Sequence, residues 1–127
     1  MYKRQDTRQV TVGKYKLGGD APVVIQSMLS VLAHDFAGNV EQAKALEAAG
    51  CEIIRVSVPD KETVPLIPLL KEAVSVPIVA DIHFDYRLAI ESVAAGVAKV
   101  VIPRQETSNN VKHIIAINFF ITISSLT

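Results

Sequence analysis

Arg55 stands inside an aliphatic run, Ile53-Ile54-Arg55-Val56-Ser57-Val58. A guanidinium keeps its charge at any working pH, and burying it unpaired is costly. It must meet a carboxylate or an anionic ligand, and phosphate suits its planar fork best. The candidate carboxylate is Asp81, in the stretch Val76-Pro77-Ile78-Val79-Ala80-Asp81-Ile82-His83. His83 follows two residues later, so in a strand the acid and the imidazole share a face. Ser57 shares a face with Arg55 by the same rule. Gln26, placed near the C-terminal end of the run Val23–Met28, gives a third strand a polar group at the same end of the sheet. Ligands of α/β folds bind at the C-terminal ends of the strands, so this pattern points to an anion clamp beside an acid–imidazole couple.

Each of these residues also has a plainer reading. Arg55 and Asp81 form either a buried structural salt bridge or part of an anion site, and both readings stay open. His83 is either a hydrogen-bonded core histidine or one that lines a site. Arg87, in the first turn of the following helix, reads first as a solvated side chain and second as a ligand contact. Asp85 reads as the N-cap of that helix. Lys3, Arg4 and Arg8 read as a solvated basic tail, and Cys51 as a small buried hydrophobe. His34 and His113 have no sequence neighbour that makes them look catalytic.

The elements that must hold these side chains alternate in type. Residues 8–19 alternate polar and apolar and end in Gly18-Gly19, which predicts a short hairpin. Apolar runs at 23–28, 52–58, 76–84 and 99–102 predict strands. Helices are expected between them. The first begins at Asn39, with Gln42 closing a capping box, and runs to Ala49 with Gly50 as its stop. The second opens at Asp60 and is short or broken by Pro65 and Pro68. The third runs from Asp85 to Gly96. A last helix is expected from Ser108 or Asn109 to Ile117. AAGCEIIRV (48–56) and AAGVAKVVI (94–102) echo each other. Strand–helix alternation of this kind means parallel strands with helical crossovers, in a doubly wound sheet or a (β/α)8 barrel. A barrel takes about 250 residues, so four units amount to roughly half of one.

Composition bounds the function class. The chain has 127 residues, half of them hydrophobic, with 13 basic and 13 acidic side chains. That is globular composition with no net charge to draw it to nucleic acid or anionic lipid. One cysteine allows neither an internal disulfide nor a self-contained cysteine-ligated cluster. The opening MYKRQDTRQV lacks the apolar core of a secretory signal, and no apolar run approaches the roughly 20 residues that span a bilayer. A cytoplasmic soluble protein is expected.

RQDTRQVTVGKYKLGGDAPVVIQSM (4–28), LEAAGCEIIRVSVPD (46–60) and VPIVADIHFDYRLAI (76–90) together resemble the N-terminal part of the 4-hydroxy-3-methylbut-2-enyl-diphosphate synthase family. The resemblance covers about residues 3–102. It implies the N-terminal half of a TIM-type (β/α)8 barrel, about four βα units preceded by a short hairpin. The family is an oxidoreductase of isoprenoid (terpenoid) biosynthesis, on the methylerythritol phosphate route. It reductively opens the ring of 2-C-methyl-D-erythritol 2,4-cyclodiphosphate, with a [4Fe–4S] cluster in a separate C-terminal domain and electrons from ferredoxin or flavodoxin. It is a homodimer. On this resemblance Arg55 binds the diphosphate at the barrel mouth, with Asp81, His83, Arg87 and Gln26 as further substrate-binding residues.

The chain departs from the family pattern in three places. LSVLAHD (29–35) replaces a Thr/Asn-rich turn. Val101-Ile102-Pro103-Arg104-Gln105 stands where the family has a stretch like RINPGN, so Val101 occupies an arginine position. NVKHII (110–115) resembles the family again, and AINFFITISSLT (116–127) then has no recognised counterpart. The expected organisation is a partial barrel over 1–104 and a divergent tail over 105–127, with no iron–sulfur domain. By itself such a truncated chain is expected to bind no cluster and to be inactive. The alternative is a non-catalytic remnant, a half-barrel with at most weak diphosphate binding.

Overall fold

The computed structural model describes residues 7–83 and 85–102. Two short strands, β1 (Val10–Val12) and β2 (Tyr15–Leu17), form the expected antiparallel hairpin. Three βα units follow: β3 (Gln26–Met28) and α1 (Phe36–Ala48), β4 (Ile53–Val58) and α2 (Leu66–Ala73), β5 (Ile78–Ile82) and α3 (Tyr86–Ala95). Strand β6 (Lys99–Val101) comes last. The helix expected at 108–117 and the tail after it lie outside the described residues.

Strands β3 to β6 form one parallel sheet in the order β3-β4-β5-β6. That order decides between the two parallel architectures. A doubly wound sheet reverses its strand order at a switch point. Here each strand lies beside its predecessor, and right-handed crossovers then put every helix on the same face. The sheet is an arc of a barrel.

The two faces differ as that geometry requires. Ile54, Val56, Val58, Ile78, Ala80, Ile82 and Val100 point to the helices and bury against Leu66, Ile67, Leu70, Leu88 and Ala89. Burying an aliphatic side chain of this size is worth about 1.5–3 kcal/mol. The inner face carries Ile53 and Val79, over which Val12 of the hairpin packs, together with Tyr15 and Leu17. The hairpin turn presses on Pro77, at the foot of β5: a Cβ on Gly13 would lie 2.5 Å from the Pro77 Cγ. It therefore closes the end of the arc opposite to the mouth.

Two helix starts differ from expectation. Helix α1 begins four residues earlier than the Asn39 cap would place it. Asp35 is its N-cap, accepting from the Gly38 N–H at 3.0 Å. Asn39 lies buried within the first turns, and its amide donates to the Leu32 and Asp35 carbonyls at 2.9 and 2.8 Å. Gln42 closes no capping box; its side chain accepts from the Ser30 N–H and donates to the Ser30 hydroxyl. Asp60 caps only a 3-10 turn, Lys61–Thr63. Helix α2 then starts after Pro65, with Pro68 in its first turn, where a missing N–H costs no hydrogen bond. The prolines thus shift the helix start and leave its interior intact. Helix α3 is capped by Asp85 as expected and stops at Gly96, whose φ of +102° is the left-handed conformation of a helix C-terminus.

Candidate functional site

Side chains alternate across a strand, so the register defines rows on the inner face. Gln26 lies level with Ile53. Met28, Arg55, Val79 and Lys99 form the next row towards the mouth. Ser57, Asp81 and Val101 form the row above that, and His83 tops β5. Of the polar residues expected at the mouth from three strands and the following helix, Arg55, Ser57, Asp81 and His83 come together on two neighbouring strands, and Gln26 and Arg87 do not join them.

Their contacts are direct. The Arg55 Nη2 donates to Asp81 Oδ2 at 2.9 Å. Ser57 Oγ and His83 Nε2 lie 3.0 Å apart, with the tautomer deciding which one donates. The ion pair is only partly open to solvent, with the Asp81 side chain 12% and the Arg55 side chain 29% exposed. The Arg55 Nε is buried and has no acceptor among the described residues. Aspartate therefore occupies one part of the guanidinium and leaves another N–H unmatched. A buried donor without a partner costs about 1–3 kcal/mol.

One placement corrects the sequence reading, and two others complete it. Gln26 is the first residue of β3, one row beneath Arg55, and not at the C-terminal end of the strand. The strand is shorter than its apolar run, because Val23, Val24 and Ile25 precede the ladder. Arg87 is exposed at the first turn of α3, with its Cζ 6.0 Å from the Tyr86 ring centroid. A side-chain hydrogen bond to Tyr86 raises its already high pKa. It is a rim cation and does not join the inner cluster. His34, which has no sequence neighbour that makes it look catalytic, lies 2.8 Å from Asp60 and clips the β3–α1 and β4–α2 loops together.

Lys99 is the residue that sequence reasoning missed. It shares a row with Arg55 and is within ion-pair distance of no carboxylate among the described residues. Among the described residues the inner-face rows thus hold two cations and one anion, a surplus of positive charge. The structure gives the reason: Val100 in the helix-facing core obliges Lys99 and Val101 to face inward.

A [4Fe–4S] cluster does not fit these residues. Cys51 precedes β4, at the end of the arc remote from Arg55, and is buried with its thiol 3.0 Å from the Ile53 carbonyl. Among the described residues no three His, Cys, Asp or Glu side chains converge as metal ligands.

Comparison with known proteins agrees with this geometry. The GcpE TIM-barrel domain family matches residues 7–118. A relative from Caldanaerobacter subterraneus subsp. tengcongensis, 4-hydroxy-3-methylbut-2-en-1-yl diphosphate synthase (flavodoxin), is 48% identical over 97 residues, 76% of this chain and 27% of its own. Proteins of the same name from Bacillus mycoides and Geobacillus thermodenitrificans are 44% and 46% identical over 100 and 97 residues, covering 79% and 76% of this chain and 27% and 26% of theirs. The chain therefore spans about a quarter of the length of these relatives. Among solved structures, dihydropteroate synthase from Xanthomonas albilineans superposes with a TM-score of 0.68 at 18% identity, over 88% of this chain and 46% of that one, which speaks to the fold alone. With the sequential strand order, the inner-face arginine and a family match over most of its length, this chain belongs to the GcpE TIM-barrel family.

Proposed function

We propose that the inner-face cluster holds the diphosphate of 2-C-methyl-D-erythritol 2,4-cyclodiphosphate. The chain is then the substrate-holding barrel part, residues 1–104, of a cytoplasmic 4-hydroxy-3-methylbut-2-en-1-yl diphosphate synthase. The observation that carries this reading is Arg55, a guanidinium set in an apolar strand with a buried, unmatched Nε–H. Asp81 fixes its plane through the 2.9 Å contact and leaves donors for phosphoryl oxygens. Lys99, in the same row, adds the charge that Asp81 removes. His83, held by Ser57, offers a hydrogen bond to an oxygen of the ligand at the mouth. Gln26 approaches from the row beneath, and Arg87 draws the anion in at the rim.

These 127 residues bind and orient; a single cysteine supplies no cluster ligand set, so electron transfer belongs to a cluster-bearing domain elsewhere. The relatives' names support flavodoxin as the electron donor of the complete enzyme; a homodimer is the assembly we propose for it, on the family resemblance alone. A second reading rests on the Arg55–Asp81 contact itself: a salt bridge satisfied within the fold needs no ligand.

Thermal shift separates the two. The cyclic diphosphate should raise Tm of the wild-type chain, since ligand at 100 times Kd adds about 2.7 kcal/mol to stability. Arg55→Ala should lose the shift. The double variant Arg55→Leu, Asp81→Leu removes both partners of the ion pair together and controls for folding. An undiminished shift in either variant would overturn the binding reading and leave Arg55 a structural residue.

A further inference from the structure

We propose that the His34–Asp60 contact is a clasp that holds the β3–α1 loop as a fixed wall of the barrel mouth, which makes His34 a positioning residue for the anion site at Arg55. This inference rests on the diphosphate reading and deepens it. The loop, residues 29–35, leaves the sheet beside the site itself. Met28 shares a row with Arg55, and the Leu29 N–H donates to the Arg55 carbonyl at 2.9 Å. At the far end of the loop His34 Nε2 lies 2.8 Å from Asp60 Oδ2, just beyond the last residue of β4. The loop is thus bound at both ends to β4 and its exit, and the stretch of β4 between those ties carries Arg55 and Ser57.

Between its ends the loop is tied to α1. The Gln42 side chain accepts from the Ser30 and Val31 N–H groups and donates to the Ser30 hydroxyl. The Leu32 carbonyl accepts from the Asp35 N–H and from the amide of buried Asn39. Among the described residues no other side-chain hydrogen bond or ion pair joins this loop to the β4–α2 loop, so that link depends on His34.

Asp60 is a prepared anchor. Its Oδ1 accepts from the Thr63 N–H at 3.0 Å, and its carbonyl accepts from the Thr63 hydroxyl at 2.7 Å, with Thr63 fully buried. Exposed ion pairs are weak in part because two side chains lose freedom to form them. Here the carboxylate is already held, and only the imidazole is immobilised. A loop that must order when ligand binds subtracts its lost freedom from affinity, and a loop held beforehand does not.

Two measurements on the full chain test the clasp. Hydrogen exchange on the free chain reads it directly. His34→Ala should speed exchange of the Ser30, Val31 and Asp35 amides and leave the Leu29 amide protected. His34→Gln, which keeps a terminal N–H donor, should restore the wild-type rates. Titration with the cyclic diphosphate reads its effect on the site. His34→Ala should weaken binding about three- to fivefold, within the reach of one exposed ion pair, and His34→Gln should bind like wild type. Loop amides that exchange alike in wild type and His34→Ala would overturn the clasp. Faster exchange with unchanged affinity would overturn the positioning role. A wild-type chain that binds no diphosphate would overturn the site reading and the positioning role with it, and the exchange rates would still decide whether the clasp exists.

Discussion

Arg55 is the residue on which the site turns, and its chemistry was plain in the sequence because a charge inside an aliphatic strand demands a partner. Two possible partners were foreseen, and the structure supplies Asp81 while leaving the Nε–H unmatched. Removing the acid should therefore hurt folding and not simply loosen a contact. Asp81→Ala is expected to lower stability by about 1–3 kcal/mol in urea denaturation, a discounted figure because the guanidinium is 29% exposed. A bound diphosphate should restore part of that loss by neutralising the same arginine. Lys99 was not read as functional, because a lysine at a strand edge looks solvated until the facing of Val100 is known. Lys99→Ala should weaken diphosphate affinity about tenfold, one charge-assisted hydrogen bond's worth, while leaving Tm of the free chain nearly unchanged.

Helix ends carried the least information in the sequence, and the reason is local. Asp35, Asn39 and Asp60 are all credible caps by type. Which one starts a helix depends on tertiary contacts: the Asn39 amide is taken by the Leu32 and Asp35 carbonyls, and Gln42 ties down the loop at Ser30. Helix stops were clearer, since Gly50 and Gly96 adopt φ of +100° and +102° in the echoed segments. Gly96→Ala should destabilise by about 1–2 kcal/mol, from the left-handed backbone and from the added Cβ meeting Lys71 Nζ.

Another joint between elements is titratable. Glu47, in α1, accepts from the Ser75 N–H at 2.7 Å, the Ser75 hydroxyl and the Val76 N–H, anchoring the turn into β5. The Ser75 backbone bond, first among these, lowers its pKa. A depressed carboxylate adds stability that is complete above the ordinary glutamate value of about 4.3 and is lost as pH falls through the lowered one. Glu47→Gln should flatten the acid limb of the stability curve and leave the neutral region's slope untouched. An acid limb identical to wild type would show that the anchor carries no linkage.

For the molecule as a whole, strand–helix alternation conveyed the class of fold, but not its winding. Apolar runs name strands without saying which lie side by side, and only the observed order β3-β4-β5-β6 separates a barrel arc from a doubly wound sheet. The segment after Ile102 lies outside the described residues, so the expectations placed on it stand as sequence readings. Ile54 sits at the centre of the arc with no exposed surface, and Ile54→Ala should cost about 2–5 kcal/mol by chemical denaturation.

The binding of an anion at Arg55 is tested most directly by 31P NMR of the cyclic diphosphate titrated with the chain. Wild-type protein should shift and broaden both phosphorus resonances in a saturable manner, and Arg55→Ala should leave them where they are in buffer. Resonances that do not move with wild-type protein, or that move equally with Arg55→Ala, would contradict a diphosphate site on this face of the sheet.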